Sequence, residues 1–387
     1  MRPLRSCLVI GLFAAALAFG WQALTVHVNY GGNWTALFCT GGDTRVPPAL
    51  AAESLHKFAG SGGYDGQYYH FMAHDPFLRR GFSGFLDAAR LRGRRMLVPA
   101  AAWLLAVGRD EFVDAALFAV MAASVFGGAY WLSRYAVSLG AHPAWGLGFL
   151  CVPAVIISLD RFTVDATMAA LVAGFLLYAN EDDGWRLYAV LCAAIMTRET
   201  GLLLLGGYVL FLACRGRWRR ALVFSTAALP ALAWYVYIHS RTGAYETHLL
   251  SRFPVETVFR RLMEPIEYPL PPALARTAMT LDYLALAGTG LAFLFAARFA
   301  LRKSAGPSEL AGFLFFIMAV ALGGIAGWSD PFGHPRAFSP VLMLVAARGL
   351  TVGSWWMALP LGLHLPRISM QLGPQLLGIA RALGIPV

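Results

Sequence analysis

Long uninterrupted apolar blocks dominate this chain and restrict it to folds whose helices are solvated by lipid. The blocks are 7–26, 112–133, 144–160, 165–179, 221–239, 278–300, 310–328 and 337–357. A helix rising about 1.5 Å per residue needs about 20 residues to cross a hydrocarbon core about 30 Å thick, and most of these blocks approach that length. Charged residues make up 13% of the chain and apolar ones 58%, against about a quarter and about half in soluble domains. The expected fold class is an all-α polytopic membrane protein. Its first block follows the basic start Met1-Arg2-Pro3-Leu4-Arg5. Because it is long enough to span and lacks a small-x-small cleavage site, it reads as a retained anchor rather than a signal peptide.

Two stretches resist simple counting. Met96 to Val107 is apolar but reaches only about 18 Å as a helix, which places it along the interface. Leu187 to Ala213 is apolar on both sides of Thr197-Arg198-Glu199-Thr200-Gly201. A charge at mid-bilayer costs about 2.5–3.5 kcal/mol on insertion scales, which favours two short helices meeting at a surface or wet cavity. The count is then about ten transmembrane helices with both termini cytoplasmic, and Arg134, Arg215 to Arg220, Arg298, Arg302 and Lys303 fall inside. If 96–107 spans and 187–213 is one helix, the segment between them inverts and takes Asp165 and Arg198 with it. Both layouts stay open at this level.

On the preferred layout, residues 1–357 form a single integral-membrane domain with a long external loop at 27–111. In that loop Pro47-Pro48 opens a helical pattern through Phe58, and Gly60-Ser61-Gly62-Gly63 breaks it. Phe82, Phe85, Leu86 and Ala89 share the apolar face of a short juxtamembrane helix. Residues 358–387 carry Leu365, Ile368, Leu372, Leu376 and Ile379 at near-helical spacing, which predicts an amphipathic tail on the cytoplasmic surface.

The net charge of +10 comes from basic residues scattered over helix ends and loops. That pattern suits topology and anionic headgroups and excludes nucleic acid as a partner. The five cysteines have no paired spacing, so neither a metal cage nor a disulfide framework follows from them. A phosphate-cradling Gly loop, a nucleophile elbow, HExxH and CxxC are all missing, which removes soluble-nucleotide chemistry, serine hydrolysis and zinc proteolysis.

Polar residues gather on the external side. Asp65 stands within Gly63-Tyr64-Asp65-Gly66-Gln67-Tyr68-Tyr69, where glycines permit close approach of a ligand and tyrosines offer ring faces and hydroxyls to a sugar. A carboxylate there can take a proton from an attacking hydroxyl, although an Asx-type turn with interfacial aromatics reads the same way. His74-Asp75-Pro76 reads as a turn or helix boundary. Arg94, Arg95, Arg198, Arg241 and Arg336 approach the same face, and guanidiniums bind phosphate through paired donors. Taken one at a time, such arginines also snorkel to headgroups. Arg198-Glu199, lying between two apolar runs, is a functional candidate or an ion pair that holds the break. His334 and Arg336 complete the set from the stretch Trp328 to Arg336.

This arrangement resembles the GT-C superfamily of integral-membrane glycosyltransferases, the group that includes protein mannosyltransferases and bacterial lipid A sugar transferases. Tyr64-Asp65-Gly66-Gln67-Tyr68-Tyr69, Arg94-Arg95-Met96-Leu97-Val98-Pro99 and Thr197-Arg198-Glu199 are similar to motifs of a bacterial subgroup near that superfamily. The resemblance implies inverting transfer of a sugar from a polyprenyl-phosphate donor to an acceptor hydroxyl of a glycolipid, glycan or protein. The site would face the outside of a bacterial inner membrane. It implies Asp65 as catalytic base and Asp165 as a supporting acceptor or metal residue, with Arg198 near the donor phosphate. Tyr64, Gln67, Tyr68, Arg94, Arg95, Glu199, Arg241, His334 and Arg336 are the remaining candidates for substrate binding. No cofactor is fixed, and a divalent cation is compatible with the pattern. Many members carry two adjacent acidic residues in the first loop, where this chain has Asp65 between Tyr64 and Gly66. A transporter or lipid flippase, or a non-catalytic protein of cell-envelope assembly, are the rival classes; a transporter would usually show two similar halves and midplane charges.

Overall fold

A computed structural model describes residues 2–243, 256–321, 328, 330 and 332–385. Ser329, Pro331, most of the final third of the expected 310–328 span and much of the expected external loop after Arg241 lie outside the described residues. The described residues are nearly all helical, and several helices are long and apolar enough to span a membrane, consistent with an integral membrane protein.

The first helix, α1 (Arg2–Asn29), is followed by the loop helices α2 (Asp65–His74), α3 (Ala89–Arg94) and α4 (Leu97–Leu105), and then by α5 (Asp110–Ser138). Asp110 and Glu111 sit in the first turn of α5, where they complement the helix dipole. A 3₁₀ segment, Pro143–Cys151, leads into α6 (Pro153–Arg161) with a bend of 58°. Pro153 explains the bend, because it has no N–H to continue the preceding ladder and holds Val152 extended. Short apolar helices follow: α7 (Asp165–Asn180), α8 (Gly184–Thr197) and α9 (Gly201–Cys214). The 187–213 run is therefore two helices that meet at Arg198-Glu199-Thr200. Gly201 permits their close junction, since a Cβ there would lie 2.3 Å from the Ala194 carbonyl carbon.

Helices α10 (Trp218–Ser225) and α11 (Leu229–Arg241) run on as one span, Trp218–Arg241. After α12 (Glu256–Met263) come α13 (Pro272–Ala300), α14 (Pro307–Ala321) and α15 (Gly333–Val352). Among the described residues four helices are long and apolar enough to cross a membrane, α1, α5, Trp218–Arg241 and α13, or five with the bent pair 143–161. The apolar side chains of Leu8, Val9, Leu12, Phe13 and Leu17 on α1 stay exposed, as a lipid-facing surface requires. Inside, small residues bring helices together: a Cβ on Gly207 of α9 would meet the α14 backbone at Ala311 at 2.5 Å.

The first loop differs from its expected helical pattern. After Pro47-Pro48 only a 3₁₀ turn, Pro48–Leu50, forms, and β1 (Thr40–Gly41) pairs in parallel with β2 (Lys57–Phe58). The helix stops because Asn33 and Thr35 hold the next segment extended: the Asn33 amide donates to the Ser54 carbonyl at 2.7 Å, and the His56 N–H donates to Thr35 Oγ1 at 2.8 Å. Phe82–Phe85 is likewise a separate 3₁₀ turn, and the helix proper begins at Ala89.

The tail is the larger correction. It is not one amphipathic helix on the far side but a series of short pieces, among them Leu359–Gly362, Leu365–Met370 and Gly373–Ala382. Pro360, Pro366 and Pro374 each sit at the start of one piece, where a missing N–H is tolerated, and each prevents the preceding helix from running through. The tail turns back beside α15 and ends at the same end of the bundle as the first loop. There Gln375 donates to Asp160 Oδ1 at 2.7 Å and accepts from the Asn29 amide at 3.3 Å. Its polar stripe, His364, Arg367, Gln371 and Gln375, is buried, while Leu376, Leu377 and Leu383 are exposed. A helix beside lipid turns its polar stripe toward protein, the reverse of the soluble pattern.

Candidate functional site

Five elements deliver charged side chains to one end of the bundle. Asp65 opens α2, Arg92 lies on α3, Asp165 opens α7, Arg198 sits in the break between α8 and α9, and Arg336 lies in the first turns of α15. Asp65 Oδ1 accepts from Arg92 at 2.8 Å, and its Oδ2 lies 2.7 Å from Arg336 Nη1. Arg336 Nε is 3.4 Å from Asp165 Oδ2, while Asp165 Oδ1 accepts from Arg198. Arg92 is also held by Asp87 at 2.8 Å. The result is a continuous chain, Asp87–Arg92–Asp65–Arg336–Asp165–Arg198, largely withdrawn from solvent.

Arg198 and Glu199 are not a pair that closes the break. Glu199 Oε2 instead accepts from Arg95 Nε at 3.1 Å, and Arg95 also donates to the Tyr69 hydroxyl at 3.2 Å. Aromatic rings lie against the guanidiniums: Tyr68 beneath Arg92 at 5.0 Å and Tyr64 beneath Arg336 at 5.1 Å. The Tyr64 hydroxyl donates to Asp330 at 2.9 Å. Counting Arg92, Arg95, Arg198 and Arg336 against Asp65, Asp87, Asp165 and Glu199, the cluster is close to neutral, so an incoming anion has to compete for guanidiniums already paired.

The electrostatics of Asp65 follow from this geometry. Burial alone would push its carboxyl up, but Arg336 and then Arg92 outweigh burial and hold it well below the ordinary carboxylate range. A carboxylate so stabilised is a weak proton acceptor, because base strength follows pKa.

Other expected site residues sit elsewhere or do different work. Gln67 is buried with its Oε1 accepting from the Gly41 N–H at 3.1 Å and its amide donating to the Gly62 carbonyl at 3.1 Å. It pins the loop. Gly66 serves packing rather than ligand approach, since a Cβ there would stand 2.4 Å from the Arg161 carbonyl oxygen. Arg94 lies over the Tyr235 ring at 5.4 Å, beside the network rather than within it. Arg241 is exposed and lies over Tyr237 at 5.4 Å, away from the cluster. His334 points to the opposite side of α15 from Arg336, as residues two apart on a helix do. It stacks on Trp328 and faces His364, and neither ring nitrogen has a side-chain hydrogen-bond partner among the described residues.

Asp75 accepts from the N–H groups of Arg79 at 2.7 Å and Arg80 at 2.8 Å, which makes it the turn residue expected. Arg92, Tyr69 and Asp330 were missed. Arg92 carries a readable signal, standing three residues before Arg95 and so on the same helical face. Asp330 carries none, because its role depends on a chain reversal that brings it to Tyr64. No family model, curated protein or solved structure matches the chain.

Proposed function

We propose that the protein is a membrane glycosyltransferase that uses a polyprenyl-phosphate sugar, with its site at the Asp65 end of the bundle. The observation that supports this reading is the joining of Asp65, Asp165, Arg198 and Arg336 from four separate elements in one buried ion network. In the proposed reaction the donor phosphate draws Arg336, and with it part of the charge that restrains Asp65, onto itself. Asp65 then accepts the proton of the acceptor hydroxyl as that oxygen bonds to the anomeric carbon from the face opposite the phosphate. The bond from the anomeric carbon to the phosphate oxygen breaks with inversion, and its electrons stay on the lipid phosphate beside the arginines. Asp165 holds Arg198 and Arg336 in register. A donor that competes for a paired arginine thereby couples its own arrival to the basicity of Asp65.

The test is a lipid extraction of protein purified from its own membranes, read by mass spectrometry. A polyprenyl phosphate or its glycosylated form is expected in roughly molar proportion. Arg336→Gln is expected to lower its retention about 10-fold to 100-fold, as loss of a charge-assisted hydrogen bond worth about 1.5–3 kcal/mol predicts. Lipid extracts free of polyprenyl phosphate, or unchanged by Arg336→Gln, would remove the donor assignment.

For orientation we propose about ten helical spans through a bacterial inner membrane, with α7, α8, α9, α14 and α15 crossing beside the longer helices, α4 at the interface and the broken tail after α15 returning as a further crossing. The Asp65 end faces outside, and the tail ends on that same side. In a background without the native cysteines, Lys57→Cys and Arg381→Cys are both expected to react with an impermeant thiol reagent in intact cells. Ser304→Cys is expected to react only after permeabilisation; all three positions are exposed. Labelling of positions 57 and 381 from opposite sides would overturn the tail placement.

A further inference from the structure

A second cluster lies about one and a half to two and a half turns along α2 from Asp65 and plays no part in the ion network. His70 and His74 stand four residues apart on α2, so both rings leave the same face of the helix, and both are buried. Their Nε2 atoms point at each other across 3.3 Å. Two carboxylates close on the same point. Asp114, from the second turn of α5, places Oδ1 2.8 Å from His70 Nε2 and 3.9 Å from His74 Nε2. Glu53, from the first loop, places its oxygens 3.5 Å from His70 Nε2 and 3.6 Å from His74 Nε2.

We propose that Glu53, His70, His74 and Asp114 bind one divalent transition ion of the zinc class. Four ligands about 2.0–2.1 Å from a tetrahedral zinc stand about 3.3 Å from one another. The separations between the histidine nitrogens and their neighbours scatter around that edge, and all four ligand atoms lie within 4.8 Å of one another. Two imidazole nitrogens among the donors favour zinc or a neighbouring transition ion over magnesium or calcium, which take oxygen ligands.

The surroundings are those of a metal histidine. His74 Nδ1 lies 2.9 Å from Asp110 Oδ1, and Arg80 grips both oxygens of Asp110 at 2.8 Å. A carboxylate behind Nδ1 fixes the tautomer that leaves the Nε2 lone pair for a metal. The His70 ring is stacked on Phe38 with centroids 4.3 Å apart. With four protein ligands converging, the ion has a structural role. It ties the C-terminal half of α2 to α5 and to the Glu53 segment, and so positions Asp65 at the other end of α2. The site stands on its own ligands and does not depend on the transferase reading.

The full-length protein, purified in detergent with a tag free of histidine, is expected to carry about one transition ion per chain by elemental mass spectrometry. Stripping with EDTA is expected to lower its melting temperature by several degrees, and zinc alone to restore it. His70→Gln with His74→Gln should abolish both the metal and the zinc response, whereas Cys214→Ser at the opposite end should change neither. Should the double variant fail to fold, Asp110→Asn keeps all four ligands and is expected to weaken zinc binding about 10-fold to 100-fold. Background metal in the native protein, together with a melting temperature that ignores zinc after stripping, overturns the site and leaves a histidine–carboxylate hydrogen-bond cluster.

Discussion

Asp65→Asn is expected to lower sugar transfer by about 10²-fold to 10⁴-fold, the range that removal of a positioned general base produces. The variant keeps the shape of the side chain but only one acceptor oxygen, its amide nitrogen being a donor; Arg92 stays held by Asp87 and Arg336 by Asp165, so the polyprenyl phosphate should still be retained. Loss of turnover with the lipid retained separates the proposed proton acceptor from a mere loss of donor binding. The substitution also removes a negative charge from between two guanidiniums, so a fall in melting temperature is expected alongside. Its pH dependence has a definite sign. Because the folded carboxyl lies below the ordinary aspartate value of about 3.9, its stabilising contribution is fully present above about pH 4. That contribution fades only as pH falls toward the lowered value. The gap in stability between the native protein and the variant should therefore be constant across neutral pH and close only in strong acid. Rates are to be compared well below both melting temperatures, and transfer within 10-fold of the native rate would sink the assignment of Asp65 as base.

Much of this site was legible because hydrophobicity and charge are read along the chain. Asp65, Asp165, Arg198 and Arg336 each interrupt or border an apolar run, and a charge in such a place requires a partner. The split of 187–213 at Arg198 follows from the same cost. What the chain could not disclose was pairing across it: Arg198 could equally close on its neighbour Glu199, and the packing of α8 against α7 and α4 sends one to Asp165 and the other to Arg95. Gln67 and Gly66 misled for a physical reason. A polar side chain in a Gly-rich loop serves a ligand or the loop's own backbone, and composition does not separate the two. The His70 and His74 spacing was visible, yet its meaning depended on Glu53 and Asp114, which come from other elements. The tail's polar stripe turned inward because the amphipathic pattern defines two faces without saying which surroundings each meets.

The same tail carries the largest expected loss of stability. Asp282 of α13 is fully buried between two arginines from different parts of the chain. Arg367 Nε donates to Oδ1 at 2.7 Å, Arg261 Nη2 stands 3.4 Å from Oδ2, and the Tyr268 hydroxyl donates to Oδ2. Asp282→Ala leaves both guanidiniums without their carboxylate in a place water does not reach, a change that costs about 3–5 kcal/mol in buried ion pairs. It should also loosen the tail, because Arg367 is the link that holds Leu365–Met370 to α13. Cleavage by trypsin after Arg381 and Arg367 is then expected to run well ahead of cleavage elsewhere. Replacing all three partners with apolar residues, Asp282→Leu with Arg261→Met and Arg367→Met, should recover much of the loss, since a buried ion cluster gives up most of its attraction to desolvation. An Asp282→Ala protein that unfolds within about 1 kcal/mol of the native one and protects its tail equally well would mean that water or lipid headgroups already satisfy these arginines. The tail's return to the Asp65 end would then need another cause.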